Sequence, residues 1–418
     1  MDANVELIIE NGHVIDPLSG LNEEVDIAIA GKKIVAIEKR STGGLKSLQA
    51  LKRIDASDKL VCPGLIDLHV HVYEYITNFG VWADDAGVGV GATTIVDAGS
   101  TGPWTFGGFK AHVIDKAKTD VRAFMSINAA GALMGGMKGD ILHNPSVVDL
   151  EASFKLMKQY PEAIRGIKCH GESGSFSRWG LEVLTMAADL GRKANLPLYV
   201  HTGELFPVIE DSRPEPRTLL SHVLPLLKKG DTLAHIYSNM PDGIIGEDES
   251  IPEVVYAALD KGVHFDIGYG INFSYRIARL LINAGIFPNT ISSDIHGDFN
   301  SYHDLSKLDY SLPGAMTRLL HLGMPLLEVI RAVTVNPAKV IGESDRLGSL
   351  SIGNQANISI LEKKKGPWTL LDGRNEALDV DMRLMPWLTF RDGVSYLPNL
   401  AMLPDLLINQ SERVAEVA

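Results

Sequence analysis

The spacing of apolar residues changes character twice along the chain, near 63 and near 342. From 5 onward apolar residues come in short runs separated by turn signals. Residues 5–9 are apolar-rich, Asn11-Gly12 is a hairpin signal, and His13-Val14-Ile15-Asp16-Pro17 follows. Val25-Asp26-Ile27-Ala28-Ile29 alternates polar and apolar, and Gly31-Lys32-Lys33 leads into Ile34-Val35-Ala36-Ile37. No helical period intervenes before the polar stretch at 40–50, so this region is expected to be short β-strands and turns.

From 64 the texture becomes strand, loop and helix in repetition. The segments 65–71, 92–97, 121–127, 164–169, 197–202, 231–236, 263–267 and 289–294 are the expected strands. Segments of helical spacing lie between them, among them 147–160 and 179–195. About eight such alternations are the signature of an α/β fold of the parallel (β/α)8 TIM-barrel kind. An open doubly wound sheet is the alternative. No G-x-G-x-x-G opens a helix, and the strand count favours the closed barrel.

After 342 the pattern is β-like again, with Leu347-Gly348-Ser349-Leu350, Gly353-Asn354 and Ile358-Ser359-Ile360-Leu361. The two β-rich ends, 1–62 and 343–418, are therefore expected to meet as one small β-sandwich domain flanking a barrel at 63–342. Neither an internal repeat nor a low-complexity linker is visible.

Composition narrows the partners. A formal charge of −13 argues against nucleic acid and anionic membranes, which favour basic surfaces, and leaves a small-molecule substrate. Cys62 and Cys169 are too few for a disulfide framework and are expected to be buried thiols. Residues 1–20 carry Asp2, Glu6, Glu10 and Asp16 without a basic or apolar leader pattern. No apolar run approaches the ~18 residues that span a bilayer. A soluble cytoplasmic protein is expected, with homo-oligomerisation left open.

In a barrel of this kind functional side chains gather at the C-terminal ends of the strands. The first strand, Leu65-Ile66-Asp67-Leu68-His69-Val70-His71, ends in two histidines at i, i+2, which share a face and lie close enough to share a metal. The fourth ends near Lys168, the fifth at His201, the sixth at His235 and the eighth at Asp294. Histidine and carboxylate suit zinc and similar divalent ions. One tetrahedral site cannot use all of these groups and keep a place for water, so two metals are the economical reading. A lysine there is awkward as an ammonium; taking up carbon dioxide would convert its amine to a carbamate able to bridge two cations. Two ions ~3.5–4 Å apart can share a hydroxide whose pKa falls toward neutrality. His112, His143, His222, His264 and His321 are read as packing or hydrogen-bonded histidines, and His13 lies too far upstream to join the site.

The ordering H-x-H, Lys, His, His, Asp resembles the amidohydrolase superfamily, in its binuclear branch of dihydroorotases, hydantoinases and deacetylases. Further marks are Val61-Cys62-Pro63-Gly64 before the first strand, Gly91-Ala92-Thr93-Thr94 before the second, and Thr334-Val335-Asn336-Pro337-Ala338 with Gly342 after the barrel. The run from Gly348 to Ile358 is similar to the family's return into its small β-domain, with Asn357 where aspartate is usual. The resemblance covers essentially the whole chain. It implies two divalent ions, Zn2+ by preference, with His69, His71 and Asp294 on one, His201 and His235 on the other, and carboxylated Lys168 between them. It also implies attack by metal-bound hydroxide, with Asp294 carrying the proton to the leaving group.

The resemblance narrows the substrate as well. Dihydroorotases extend the first motif to H-x-H-x-R, and Tyr73 stands at that position here. The mononuclear deaminases lack the bridging lysine, so Lys168 weighs against them. Ser292-Ser293-Asp294-Ile295-His296-Gly297 is most similar to a deacetylase subgroup acting on N-acyl or O-acyl α-substituted carboxylic acids. A substrate carboxylate calls for a cation, and Arg178, in the 171–180 loop, is the expected clamp. Tyr73 and His296, within two residues of expected ligands, are further expected substrate contacts. His170 and Tyr269 also lie near the rim, and the 268–270 turn is expected to offer backbone amides to a ligand. A cyclic amidase is the alternative. A non-catalytic scaffold homologue would be expected to lack ligands, and none is missing.

Overall fold

The computed structural model describes residues 5–133, 142–215, 218–241, 243–245, 249–270, 272–297 and 310–403. Seven parallel strands form one curled sheet: Leu65–Val70, Ala92–Ala98, Asp120–Ser126, Ile164–His170, Leu198–His201, Thr232–Ala234 and His264–Phe265, each paired with the next. Leu65–Val70 and Ala92–Ala98 are buried at every position. Helices cover the outside of a parallel barrel and side chains fill its inside, which is why these segments read as apolar runs rather than as alternation.

The expected eighth strand, 289–294, is an irregular segment that nonetheless closes the ring. Thr290 bridges Asp266 on one side and Ile295 bridges Val70 on the other. Asp294 N–H donates to the His69 carbonyl at 2.8 Å, and His71 N–H donates to the Ile295 carbonyl at 3.0 Å. Asp294 takes a left-handed backbone with φ of 52°, which interrupts regular pairing. The element that seals the barrel is thereby also bent at the site.

Residues 5–63 and 358–396 together build one continuous sheet of eight strands. Val5–Asp16, Leu21–Ala30 and Lys33–Lys39 pair antiparallel in sequence, and Ala50–Asp55 lies parallel beside the first. Lys59–Pro63 pairs parallel with Val5–Asp16 on one edge and antiparallel with Ile358–Leu371 on the other. Ala377–Arg391 and Val394–Tyr396 complete the sheet. Its core mixes the two ends, with Ile9, Val14, Ile27 and Ile29 against Ile358, Ile360 and Phe390.

Three local expectations change. Asn11-Gly12 is a bulge inside the single strand Val5–Asp16, not a hairpin turn. Asn11 has φ of 63°, its side chain donates to Asp55 Oδ1 at 2.8 Å, and a Cβ on Gly12 would stand 2.5 Å from Val61. Tertiary packing thus uses the Asn-Gly geometry for a bulge. The expected helix at 179–195 is Glu182–Ala194, while the expected loop at 171–180 contains a further helix, Ser173–Trp179, the two separated at Gly180 with φ of 58°. The stretch 147–160 shortens to Leu150–Gln159, whose Asp149 cap accepts from Ala152 N–H at 3.0 Å. Cys62 and Cys169 are free and buried. Among the described residues no helix is long and apolar enough to cross a membrane.

Candidate metal centre

Alternation along a strand decides what the barrel end presents. His69 and His71 share a face, and so do Lys168 and His170, and Tyr199 and His201. His235 and Asp294 each reach the mouth through a left-handed backbone, with φ of 63° and 52°. Such conformations persist in non-glycine residues only where the surroundings enforce them. Here Gly268 and Gly270, with φ of 44° and 33°, make the room. A Cβ at Gly268 would stand 2.6 Å from His235 Nδ1, and one at Gly270 would stand 2.6 Å from Asp294 Oδ2. The turn expected to offer amides to a ligand is packed against these two side chains.

The six expected donors line one cavity of about 80 Å3, with His170, His296, Asn272, Phe79, Leu142 and Leu205 among its walls. His69 Nε2 lies 3.1 Å from both Lys168 Nζ and Asp294 Oδ1, and His71 Nε2 lies 3.4 Å from the same Asp294 oxygen. The His201 and His235 rings are 4.4 Å apart, and the His69 and His235 rings 5.2 Å. His69, His235 and Asp294 offer atoms within 4.8 Å of one another, a spacing that one cation can collect.

Proton positions follow from the partners. A carbonyl only accepts, so His235 Nδ1, 2.9 Å from the Gly268 carbonyl, carries the hydrogen. Its Nε2 lone pair is buried in the cavity with no hydrogen-bond partner among the described residues. His201 reverses the arrangement, with Nε2 donating to the Gly203 carbonyl at 3.2 Å and Nδ1 left as acceptor. Burial pushes His201 well below the ordinary imidazole range and His235 down to about 4, so both rings are neutral, the form that binds metal. Burial also lowers the Lys168 amine to about 8, against the pull of Asp294. Burial opposes ionisation of Asp294, yet His69, His71 and His235 together hold its carboxyl well below the usual range. Neutral imidazoles, an ionised carboxylate and an orphaned buried nitrogen fit a divalent metal centre.

Of the three expected substrate contacts, only His296 is on the wall, its ring 6.2 Å from His71 and 6.0 Å from Phe79. Tyr73 is directed away: its hydroxyl donates to the Thr105 carbonyl at 3.1 Å and its ring packs on Phe109. Arg178 does not reach the cavity either. It sits one helical turn beyond Gly174, donates to the carbonyls of Gly174 and Pro207, and stacks 4.7 Å over Phe206. Its guanidinium braces the loop after the fifth strand. Tyr269 is buried behind the rim against Phe273.

Other residues matter that the sequence reading passed over. The Glu172 carboxylate caps Ser173–Trp179 through Gly174 N–H at 2.9 Å and Ser175 N–H at 2.8 Å, and also accepts from Leu205 and Phe206 N–H. His143 Nε2 lies 3.0 Å from it, and the His143 ring stands edge-on to His170 at 5.2 Å. His143, read from sequence as a packing or hydrogen-bonded histidine, has that character here and supports the wall. No spacing rule marks Glu172 or His143. Tyr199 was within reach, because the i, i+2 rule applied to His69 and His71 also puts it inside the barrel beside His201.

A barrel presenting this donor set at its C-terminal mouth defines a metal-dependent hydrolase. Residues 60–393 match the model of the amidohydrolase family, and the chain belongs to that family. A deacetylase of Agrobacterium fabrum is 30% identical over 356 residues, 85% of this chain and 80% of its own. Among solved structures, an adenine deaminase superposes with a TM-score of 0.80 at 27% identity, covering 94% of this chain and 100% of that one. A dihydroorotase superposes with a TM-score of 0.79 at 26% identity, covering 94% and 98%.

Proposed function

We propose that this chain is a binuclear zinc hydrolase that removes the acyl group from N-acyl or O-acyl α-substituted carboxylic acids. The observation that supports it most is the meeting of His69, His71, Lys168, His201, His235 and Asp294 around one cavity, with the His235 Nε2 lone pair otherwise unused. When bound, divalent ions supply Lewis acidity for the substrate carbonyl and a hydroxide nucleophile at neutral pH. Lys168, neutral in part because burial lowers its amine to about 8, takes up carbon dioxide with loss of a proton and becomes an anionic ligand. Asp294 receives the proton of the attacking water and returns it to the departing nitrogen or oxygen.

The resemblance to a deacetylase favours acyl removal over ring opening. Tyr73, turned toward Thr105, leaves no dihydroorotase-type arginine at its position, and no arginine is among the described residues lining the cavity. His170, His296 and Asn272 are the polar groups there that would meet a substrate carboxylate. Cytoplasmic location belongs to the same proposal.

The test is a panel of N-acetyl amino acids and O-acetyl hydroxy acids set against dihydroorotate, hydantoin and adenine, with metal analysis of the purified protein. Acetate release and about two ions per chain are expected. Ring opening or deamination alone would overturn the substrate assignment. Asp294→Asn is expected to fold while kcat falls by about three orders of magnitude or more; retained turnover would remove Asp294 as the proton carrier.

A further inference from the structure

Tyr199 forms the floor beneath the donor set. It is fully buried on Leu198–His201, stacked on Phe124 with ring centres 5.0 Å apart and planes inclined by 22°. Lys168 Nζ lies 4.9 Å above its ring, and His69 meets it edge-on at 5.2 Å. Its hydroxyl is 2.7 Å from Asp266 Oδ1 and 3.1 Å from His69 Nδ1.

Counting hydrogens settles the direction of these two bonds. The Asp266 carboxylate also receives Gly268 N–H at 2.8 Å, the Thr290 hydroxyl at 2.5 Å and the Ser292 hydroxyl. A group surrounded by that many donors is an acceptor only, so the single phenolic hydrogen of Tyr199 goes to Asp266. What the oxygen turns toward His69 is a lone pair, and His69 Nδ1 must therefore carry the hydrogen. The His69 Nε2 lone pair is then fixed toward Lys168 and Asp294, each 3.1 Å away.

We propose that Tyr199 is a positioning residue of the metal centre: held by Asp266, its hydroxyl locks His69 in the Nδ1–H tautomer and aims Nε2 at the cation. Hydrogen-bond partners of this kind orient a histidine ligand and raise its basicity. The inference rests on the metal-site reading given above and reaches one layer beneath it. Serine, at 2.9 Å, meets His71 Nδ1, and a backbone carbonyl meets His235. At His69 the orienting hydroxyl is anchored on buried Asp266; at His71 Ser100 in turn lies against buried Asp97, whose Oδ1 accepts Ser100 N–H at 2.8 Å.

The experiment uses Tyr199→Phe, which keeps the ring on Phe124 and removes only the hydroxyl. Zinc affinity, read by chelator competition, is expected to fall about ten- to a hundredfold, with the variant still unfolding cooperatively. The second readout is the imidazole 15N spectrum of the metal-free protein, with His69 assigned by its loss in His69→Asn. Wild type is expected to show His69 protonated at Nδ1 alone, and Tyr199→Phe a mixture of tautomers. A His69 Nε2–H tautomer in the wild-type protein would overturn the inference whether or not the variant folds. So would a folded Tyr199→Phe with unchanged zinc affinity. A wild-type protein that takes up no divalent metal would instead sink the metal-site reading, leaving the tautomer measurement to stand by itself.

Discussion

Lys168 keeps 3% of its surface in contact with solvent, with its amine between His69 Nε2 and the ring of Tyr199. Removing an ammonium from water favours the neutral amine, and neutral amine is the form that reacts with carbon dioxide. Lys168→Ala is expected to lose at least one equivalent of metal and most activity, with partial recovery in added short-chain carboxylic acid. Metal content and turnover equal to wild type would exclude a bridging role. The donors themselves were legible residue by residue, since strand period and the barrel's active end fix where His69, His71, Lys168 and His201 point. Arg178 and Tyr73 were not, because proximity in sequence says nothing about rotamer. The same blindness hid Glu172, two of whose partners come from a loop more than thirty residues away.

At the scale of elements, the site is held by loops as much as by strands. Glu172 ties the helix after the fourth strand to the 205–206 backbone and lies beside His143. Burial alone would raise its carboxyl; His143 and the N–H groups of Gly174 and Ser175 hold it below the usual range. A depressed carboxylate contributes stability above its unfolded pKa, near 4.5, and loses it as pH falls through the folded value. Glu172→Ala is therefore expected to cost about 2 kcal/mol at neutral pH in urea denaturation, with a smaller difference in acid. Because Leu142, His170 and Leu205 line the cavity, KM should rise more than kcat falls; an unchanged KM would show that the staple does not shape the wall. Sequence periodicity located seven strands closely, and failed at the eighth. There the run Asn289-Thr290-Ile291-Ser292-Ser293-Asp294 holds a single large apolar residue, and the Asp294 backbone is left-handed at the site. The bulge at Asn11 went unread for a similar reason: a left-handed residue signals a departure without saying which one.

Across the whole molecule, the end of the barrel opposite the cavity carries an ionic cluster. Glu343 accepts from Arg122 Nε at 2.8 Å, with Arg165 at 3.6 Å and Arg346 also in contact, while Asp120 pairs with Arg122 and, at 3.9 Å, faces Arg391 of the terminal sheet. Glu343→Ala leaves three guanidinium groups facing one another and is expected to lower stability by about 2 kcal/mol, measured by urea denaturation. KM should stay unchanged, since conservation of shape at the active end does not depend on this face; a shifted KM would show coupling from one end of the barrel to the other.

The strand Lys59–Pro63 adds a constraint in time. Its second neighbour, Ile358–Leu371, comes roughly 300 residues later in the chain. At ~5–20 residues per second of synthesis, that edge waits roughly 15–60 s for its partner. The backbone of Leu60, Val61 and Cys62 stays unpaired on that side meanwhile. A nascent chain stalled inside the barrel would thus present an apolar, unpaired backbone ready to zip onto a neighbouring polysome's product.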